Sequence, residues 1–144
     1  MVTFPLKMKY FAIQIICLAA FTLLSVDAVS QRVNVKKIFR DVETQTSVLI
    51  DNIGKTRKGN DELVMPRTVE NGNLKLVKST DWTSGFFPGI LWYIFLYTGD
   101  NVWRERADSF TQILETEKYN SRTHDMGFKI FCSYGTGYLF TKDE

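Results

Sequence analysis

The stretch Phe86-Phe87-Pro88-Gly89-Ile90-Leu91-Trp92-Tyr93-Ile94-Phe95-Leu96-Tyr97-Thr98-Gly99-Asp100 decides the fold. Its apolar residues lack the alternation of a strand and occupy every face of a helix, so it predicts a helix buried on most sides. Pro88 is tolerable only in the first turn, Ser84 or Thr83 stands where an N-cap is wanted, and Gly99 supplies the stop. The apolar run from Phe86 to Tyr97 is too short to cross a bilayer. Beyond Gly99, Asp100 or Asn101 can cap a second helix, in which Trp103, Ala107, Phe110 and Leu114 recur at helical spacing. A connection as short as Thr98-Gly99-Asp100 predicts that the two helices pack as an antiparallel hairpin.

Upstream, Val35, Ile38, Phe39, Val42, Leu49 and Ile50 form the stripe of an amphipathic helix that is expected to end near Gly54. Lys55 to Ser79 has no period and carries Gly59-Asn60-Asp61, Pro66 and Asn71-Gly72-Asn73. It reads as a long loop with brief extended pieces at Pro66-Arg67-Thr68 and Leu74-Lys75-Leu76-Val77, and no strand pair is expected. Downstream lie a polar loop from Glu117 to Arg122, a turn at His124-Asp125, and a short apolar helix from about Gly127 to Tyr134 that Gly135-Thr136-Gly137 should break. Exposed and buried helices alternate along the chain. A toroid of helical hairpins, with an inner and an outer ring, requires that alternation, so the expected class is all-α.

Eighteen Lys and Arg against sixteen Asp and Glu leave a net charge of +2 with no basic block, which sets nucleic acid aside as a partner. Lys7 and Lys9, the apolar run Phe11 to Leu24 and the small-residue site Val26-Asp27-Ala28 read as a signal peptide over residues 1–28. The domain proper is then residues 29–144, exported to the periplasm or the medium and free of the membrane after cleavage; an uncleaved anchor is the alternative reading. Ile16, which is not small, argues against lipid attachment at Cys17. Cleavage near Ala28 leaves Cys132 without an internal disulfide partner. With His124 the only histidine, no zinc-ligand spacing can be written, and neither metal nor cofactor is expected.

Thr123-His124-Asp125-Met126-Gly127-Phe128 carries the candidate chemistry. Asp125 stands among Tyr119, Phe128, Phe131, Tyr134, Tyr138 and Phe140, and burial among rings would raise a carboxyl pKa into the range useful for acid/base work on a sugar. The 14% aromatic content adds slightly to the case for a carbohydrate-facing cleft. The competing reading is that Asp125 caps the turn that begins with Met126 and needs no substrate.

Together, Trp82 to Gly89, Leu91-Trp92, Tyr97-Thr98-Gly99-Asp100, Thr123 to Phe128 and Ser133-Tyr134-Gly135 resemble, in one consistent order over about residues 30 to 141, the N-terminal part of glycoside hydrolase family 88, the unsaturated glucuronyl hydrolases. The resemblance implies an (α/α)6 toroid, of which this chain would hold only the first hairpins. It implies a substrate oligosaccharide ending in a 4,5-unsaturated uronic acid, hydrolysed by hydration of the C4=C5 double bond. Two aspartates carry that chemistry in the family, and the first maps onto Asp125. His124 would bond the substrate or hold Asp125, and Trp82 would stack on the uronate ring or belong to the core. The chain departs from the family where Thr136 replaces an asparagine and Leu139 an arginine, and the second aspartate would lie beyond Glu144. On this reading the chain is truncated and inactive by itself. The alternatives are a non-catalytic helical module that binds sugar or protein, or a relic, and, as an enzyme, the related unsaturated rhamnogalacturonyl hydrolases.

Overall fold

The structure is a computed structural model that describes residues 33–143, so the expected signal peptide lies outside the described residues. Four α-helices, a short 3-10 turn and a π-helix dominate it, in keeping with the all-α expectation. The first helix among the described residues, α1 (Val35–Arg57), runs past Gly54. The backbone first enters the left-handed region, among the described residues, at Lys58 (φ 45) and Gly59 (φ 82), and there the helix ends. It buries Thr46 and Ile53 and packs Val42, Leu49 and Ile50 on the core, while Val35 and Ile38 stay exposed. The apolar stripe therefore reaches the core only in its second half, and in its first half Phe39 stacks on Tyr97 at 3.6 Å.

The loop expected from Lys55 to Ser79 is corrected by a hairpin: β1 (Met65–Glu70) pairs antiparallel with β2 (Asn73–Val77). Asn71 (φ 52) and Gly72 (φ 77) form the two-residue turn, the left-handed pair that matches strand twist. The register slips between Pro66 and Thr68, so Arg67 is the extra residue of a bulge. Met65 and Val77, paired across the ladder, are buried with Val64 and Leu114.

Helices α2 (Phe86–Thr98) and α3 (Asn101–Gln112) form the expected hairpin. Gly99 (φ 68) returns its N–H to the Phe95 carbonyl, and the Asp100 side chain accepts from Val102 N at 2.9 Å. Neither Thr83 nor Ser84 caps α2; their hydroxyls donate to Asp81 Oδ1 and to the Ser79 carbonyl instead. The core gathers Phe87, Leu91, Trp92 and Ile94 of α2 with Trp103 and Ala107 of α3, Ile53 of α1 and Leu76 of β2. Both buried indoles are satisfied, Trp92 by Thr111 Oγ1 at 3.0 Å and Trp103 by Glu43 Oε1 at 2.9 Å. Burial of α2 on most sides is not observed. Phe86, Ile90, Tyr93, Leu96 and Tyr97 are exposed, because among the described residues the partners of α2 cover only its other face.

After the 3-10 turn (Glu115–Tyr119), the segment Gly127–Gly135 winds as a π-helix and continues into α4 (Thr136–Thr141). The expected break at Gly135-Thr136-Gly137 does not occur: Gly135 keeps helical angles (φ −60, ψ −42). Gly137 serves a close approach instead, since a Cβ there would lie 2.9 Å from the Trp92 ring.

Candidate active site

The elements that hold the candidate residues meet where the start of α2 crosses the π-helix. At Gly85 a Cβ would overlap the Phe128 and Lys129 carbonyl oxygens and lie 2.7 Å from Lys129 Cα; at Gly89 it would lie 2.6 Å from the Cys132 carbonyl oxygen. Two glycines one turn apart thus let the backbones touch. This contact brings Trp82, at the mouth of α2, onto Phe128, three residues after Asp125. The rings of Trp82, Phe86 and Phe128 form an edge-on triangle with centroids 5.7–5.9 Å apart. Trp82 is 44% exposed, which leaves part of an aromatic surface open to a ligand.

Asp125 sits at the head of the π-helix with its side chain 27% exposed. Its carboxylate accepts from Thr123 Oγ1 at 3.3 Å, its main-chain N–H donates to the same oxygen at 3.1 Å, and its carbonyl accepts from Phe128 N at 3.0 Å. The capping alternative is not realised. Met126 holds the cap position with no side-chain cap bond, so the turn is closed by the Asp125 carbonyl and not by its carboxylate. His124 Nε2 lies 3.5 Å from Asp125 Oδ1, but its side chain is 96% exposed, so it adjoins the carboxylate without fixing it. The rings expected around Asp125 disperse, apart from Phe128. Tyr134 bonds Glu115 at 2.7 Å, Phe140 lies edge-on to Tyr93, and Tyr119 and Phe131 are exposed. The aromatic cluster that does form joins the entry to α2 with Phe128, which follows Asp125 by three residues.

Two features are not read from the sequence. Arg67, displaced by the β1 bulge, reaches Asp81 at 2.9 Å, and Asp81 also accepts from the Thr83 hydroxyl at 2.6 Å and the Thr83 N–H at 2.9 Å. Burial alone would raise the Asp81 carboxyl, but the Thr83 bonds and the charges of Arg67 and Lys129 hold it below its ordinary range. The second is a buried ion pair. Lys129, fully enclosed, donates to Glu117 Oε2 at 2.9 Å and to the Thr80 carbonyl at 2.6 Å. Glu117 also accepts from Ser79 Oγ at 3.0 Å and Asn120 Nδ2 at 2.8 Å. Burial pushes the Glu117 carboxyl up, and these donors outweigh it, leaving it below the ordinary range. A lone lysine in the apolar run Gly127 to Cys132 was the available signal. Beside these residues an open groove of about 650 Å³ runs along Thr80, Glu117, Tyr119, Asn120, Arg122 and Thr123, up to the Asp125 turn.

No family model matches the chain. It is 56% identical over 61 residues to an unsaturated glucuronyl hydrolase of Formosa agariphila, a match covering 42% of this chain and 15% of that protein. It is 40% identical over 82 residues to an unsaturated glucuronyl hydrolase of a Bacillus species, covering 53% of this chain and 22% of the relative. The chain therefore spans less than a quarter of the length of these curated relatives. The crystal structure of an unsaturated glucuronyl hydrolase specific for heparin superposes with a TM-score of 0.55 at 37% identity, over 69% of this chain and 27% of that one. Over the span that it shares with them, the chain is similar in both sequence and fold to the unsaturated glucuronyl hydrolases of glycoside hydrolase family 88.

Proposed function

We propose that this chain supplies the Asp125-bearing part of a glycoside hydrolase that acts on oligosaccharides with a terminal 4,5-unsaturated uronic acid. The observation that carries the reading is a partly exposed carboxylate, free of any capping duty, three residues before the Phe128 ring of a partly open aromatic triangle, in a chain similar to unsaturated glucuronyl hydrolases. Protonating C4 of the vinyl ether creates an oxocarbenium-like centre at C5. Water adds to C5 with loss of its proton; the resulting hemiketal opens by C5–O5 cleavage to a C5 ketone and a C1 hemiacetal, which collapses to an aldehyde as the aglycone leaves as an alcohol. Asp125 is suited to steady the cation. Trp82 offers a ring edge and face to the uronate, and His124, solvent-facing, can meet a substrate hydroxyl or carboxylate.

The proton donor has to be a carboxyl that is still protonated at working pH. Asp81 and Glu117 are both held ionised by their donors, so neither fits that role. The 144-residue chain is accordingly expected to turn over little substrate, and a second aspartate in an in-frame continuation past the codon for Glu144 would provide the acid. Export to the periplasm or the medium through the segment before Val29 suits an enzyme that receives polysaccharide-lyase products. N-terminal sequencing of secreted protein tests that placement, and an intact Met1 on membrane-bound material would replace it with an anchor.

The test of activity is loss of the ultraviolet absorbance of the conjugated uronate double bond, using an unsaturated glucuronyl disaccharide. Turnover by the longest in-frame product of the gene supports the reading. Binding of the disaccharide with no loss of absorbance, in a product that contains a second aspartate, would favour the non-catalytic sugar-binding module.

A further inference from the structure

Lys129 is placed where a methionine or leucine of similar length would fill the same space without burying a charge. A buried pair of this kind is weak as a source of stability, because taking both charges out of water offsets most of their attraction. Its value lies in what the ammonium can hold in place. Lys129 Nζ takes the Thr80 carbonyl, two residues before Trp82, and Glu117 Oε2, in the turn that leads to the Asp125 loop. From the same residue, the main chain presses on Gly85, three residues after Trp82. Residues 80 to 85 are thus gripped at both ends by one position of the π-helix whose head carries Asp125. Ser133 Oγ, donating to the Lys129 carbonyl at 2.5 Å, secures that position in turn.

We propose that Lys129 is a positioning residue: its clasp on the Thr80 carbonyl sets the spacing between Trp82 and Asp125 across the candidate sugar site. This rests on the proposed function for its purpose but not for its structural claim. The three tryptophans provide the readout. Trp92 and Trp103 have their own hydrogen bonds to Thr111 and Glu43, outside the clasp, whereas Trp82 depends on it.

In the full chain, the neutral pair Lys129→Met/Glu117→Gln removes the clasp without leaving a lone buried charge. Glu117→Gln alone keeps the Lys129 bond to the Thr80 carbonyl but removes the counter-charge of the buried ammonium. Nitrogen–proton correlation spectra, with the Trp82 indole assigned by Trp82→Phe, are expected to show that indole shifted or broadened in the double variant and near its wild-type position in Glu117→Gln. The Trp92 and Trp103 indoles should stay in place in both. An unmoved Trp82 indole in a folded double variant overturns the proposal, as does an equal displacement in Glu117→Gln, or movement of all three indoles together. If the double variant fails to fold, Lys129→Leu/Glu117→Gln, which also removes the bond to the Thr80 carbonyl, takes its place under the same criterion. Titration with an unsaturated glucuronyl disaccharide then separates the two claims. Binding weakened tenfold or more in the double variant supports the positioning role in function, and unchanged binding overturns that role. A wild-type chain that does not bind the disaccharide counts against the proposed function, while the Trp82 indole still decides the positioning claim.

Discussion

Lys129 and Glu117 meet at 2.9 Å inside the protein, whereas His124 and Asp125, only a few residues away on the same segment, meet at 3.5 Å at its surface. Glu117 accepts hydrogen bonds from Lys129, Ser79 and Asn120; the Asp125 carboxylate has one hydroxyl donor, Thr123. A carboxylate saturated by buried donors is fixed as a charge and works for the fold. One that the fold leaves under-bonded and partly exposed has lone pairs to offer a substrate. The proposal of chemistry at Asp125 rests on this difference between the two acids.

The largest expected effect on stability breaks the inner pair. Lys129→Met leaves Glu117 charged and enclosed, and unfolding in urea should show a loss of about 3–5 kcal/mol. A variant as stable as the wild type would mean that Glu117 has access to water and that the two acids are more alike than their geometry indicates. Gly85→Ala attacks the same region through the backbone, since its Cβ would collide with two main-chain oxygens, and should cost at least about 1–3 kcal/mol. Gly54→Ala is its control: within α1 and with nothing near the added methyl, it should gain about 0.5–1 kcal/mol.

Acid should erode the contribution of the inner acid to stability. The Glu117 and Asp81 carboxyls lie below their ordinary values of 4.5 and 3.8 when folded. Their contribution is therefore fully present above those values and is lost as pH falls through the lower folded-state values. Thermal unfolding midpoints should be level from pH 7 to about pH 5 and drop toward pH 3, and the drop should be smaller in Glu117→Gln. At the outer pair, His124→Ala should change stability by less than about 0.5 kcal/mol, because the imidazole packs on almost nothing. A larger loss would place His124 with the structural residues.

The same contrast explains what could be read from the sequence. The α2–α3 hairpin was legible because Pro88, Gly99 and the apolar run are local signals, each with a fixed place in a helix. Asp125, Trp82 and His124 were legible as motif residues, and the structure places Trp82 on Phe128 and His124 beside Asp125. The Glu117–Lys129 pair was not, since its acid lies in a polar loop that looks solvated until Ser79 and Thr80 fold over it. The hairpin at Asn71-Gly72 was missed although that dipeptide is a strong turn signal, because the strands beside it are short and partly polar. The π-helix has no comparable mark. Exposure along Phe86, Ile90, Tyr93 and Leu96 could not be read either, because apolar sequence reports what a helix can bury and not what is there to cover it.

The division between a structural and a chemical carboxylate is tested most directly by following the absorbance of the conjugated uronate double bond with Asp125→Asn in the longest in-frame product of the gene. Turnover should fall by about 10²–10⁴ while the unfolding midpoint stays within error of the wild type, because the Asp125 side chain has only the Thr123 hydroxyl to lose. Full activity in Asp125→Asn, or a drop in turnover that merely tracks a loss of stability, would contradict the assignment.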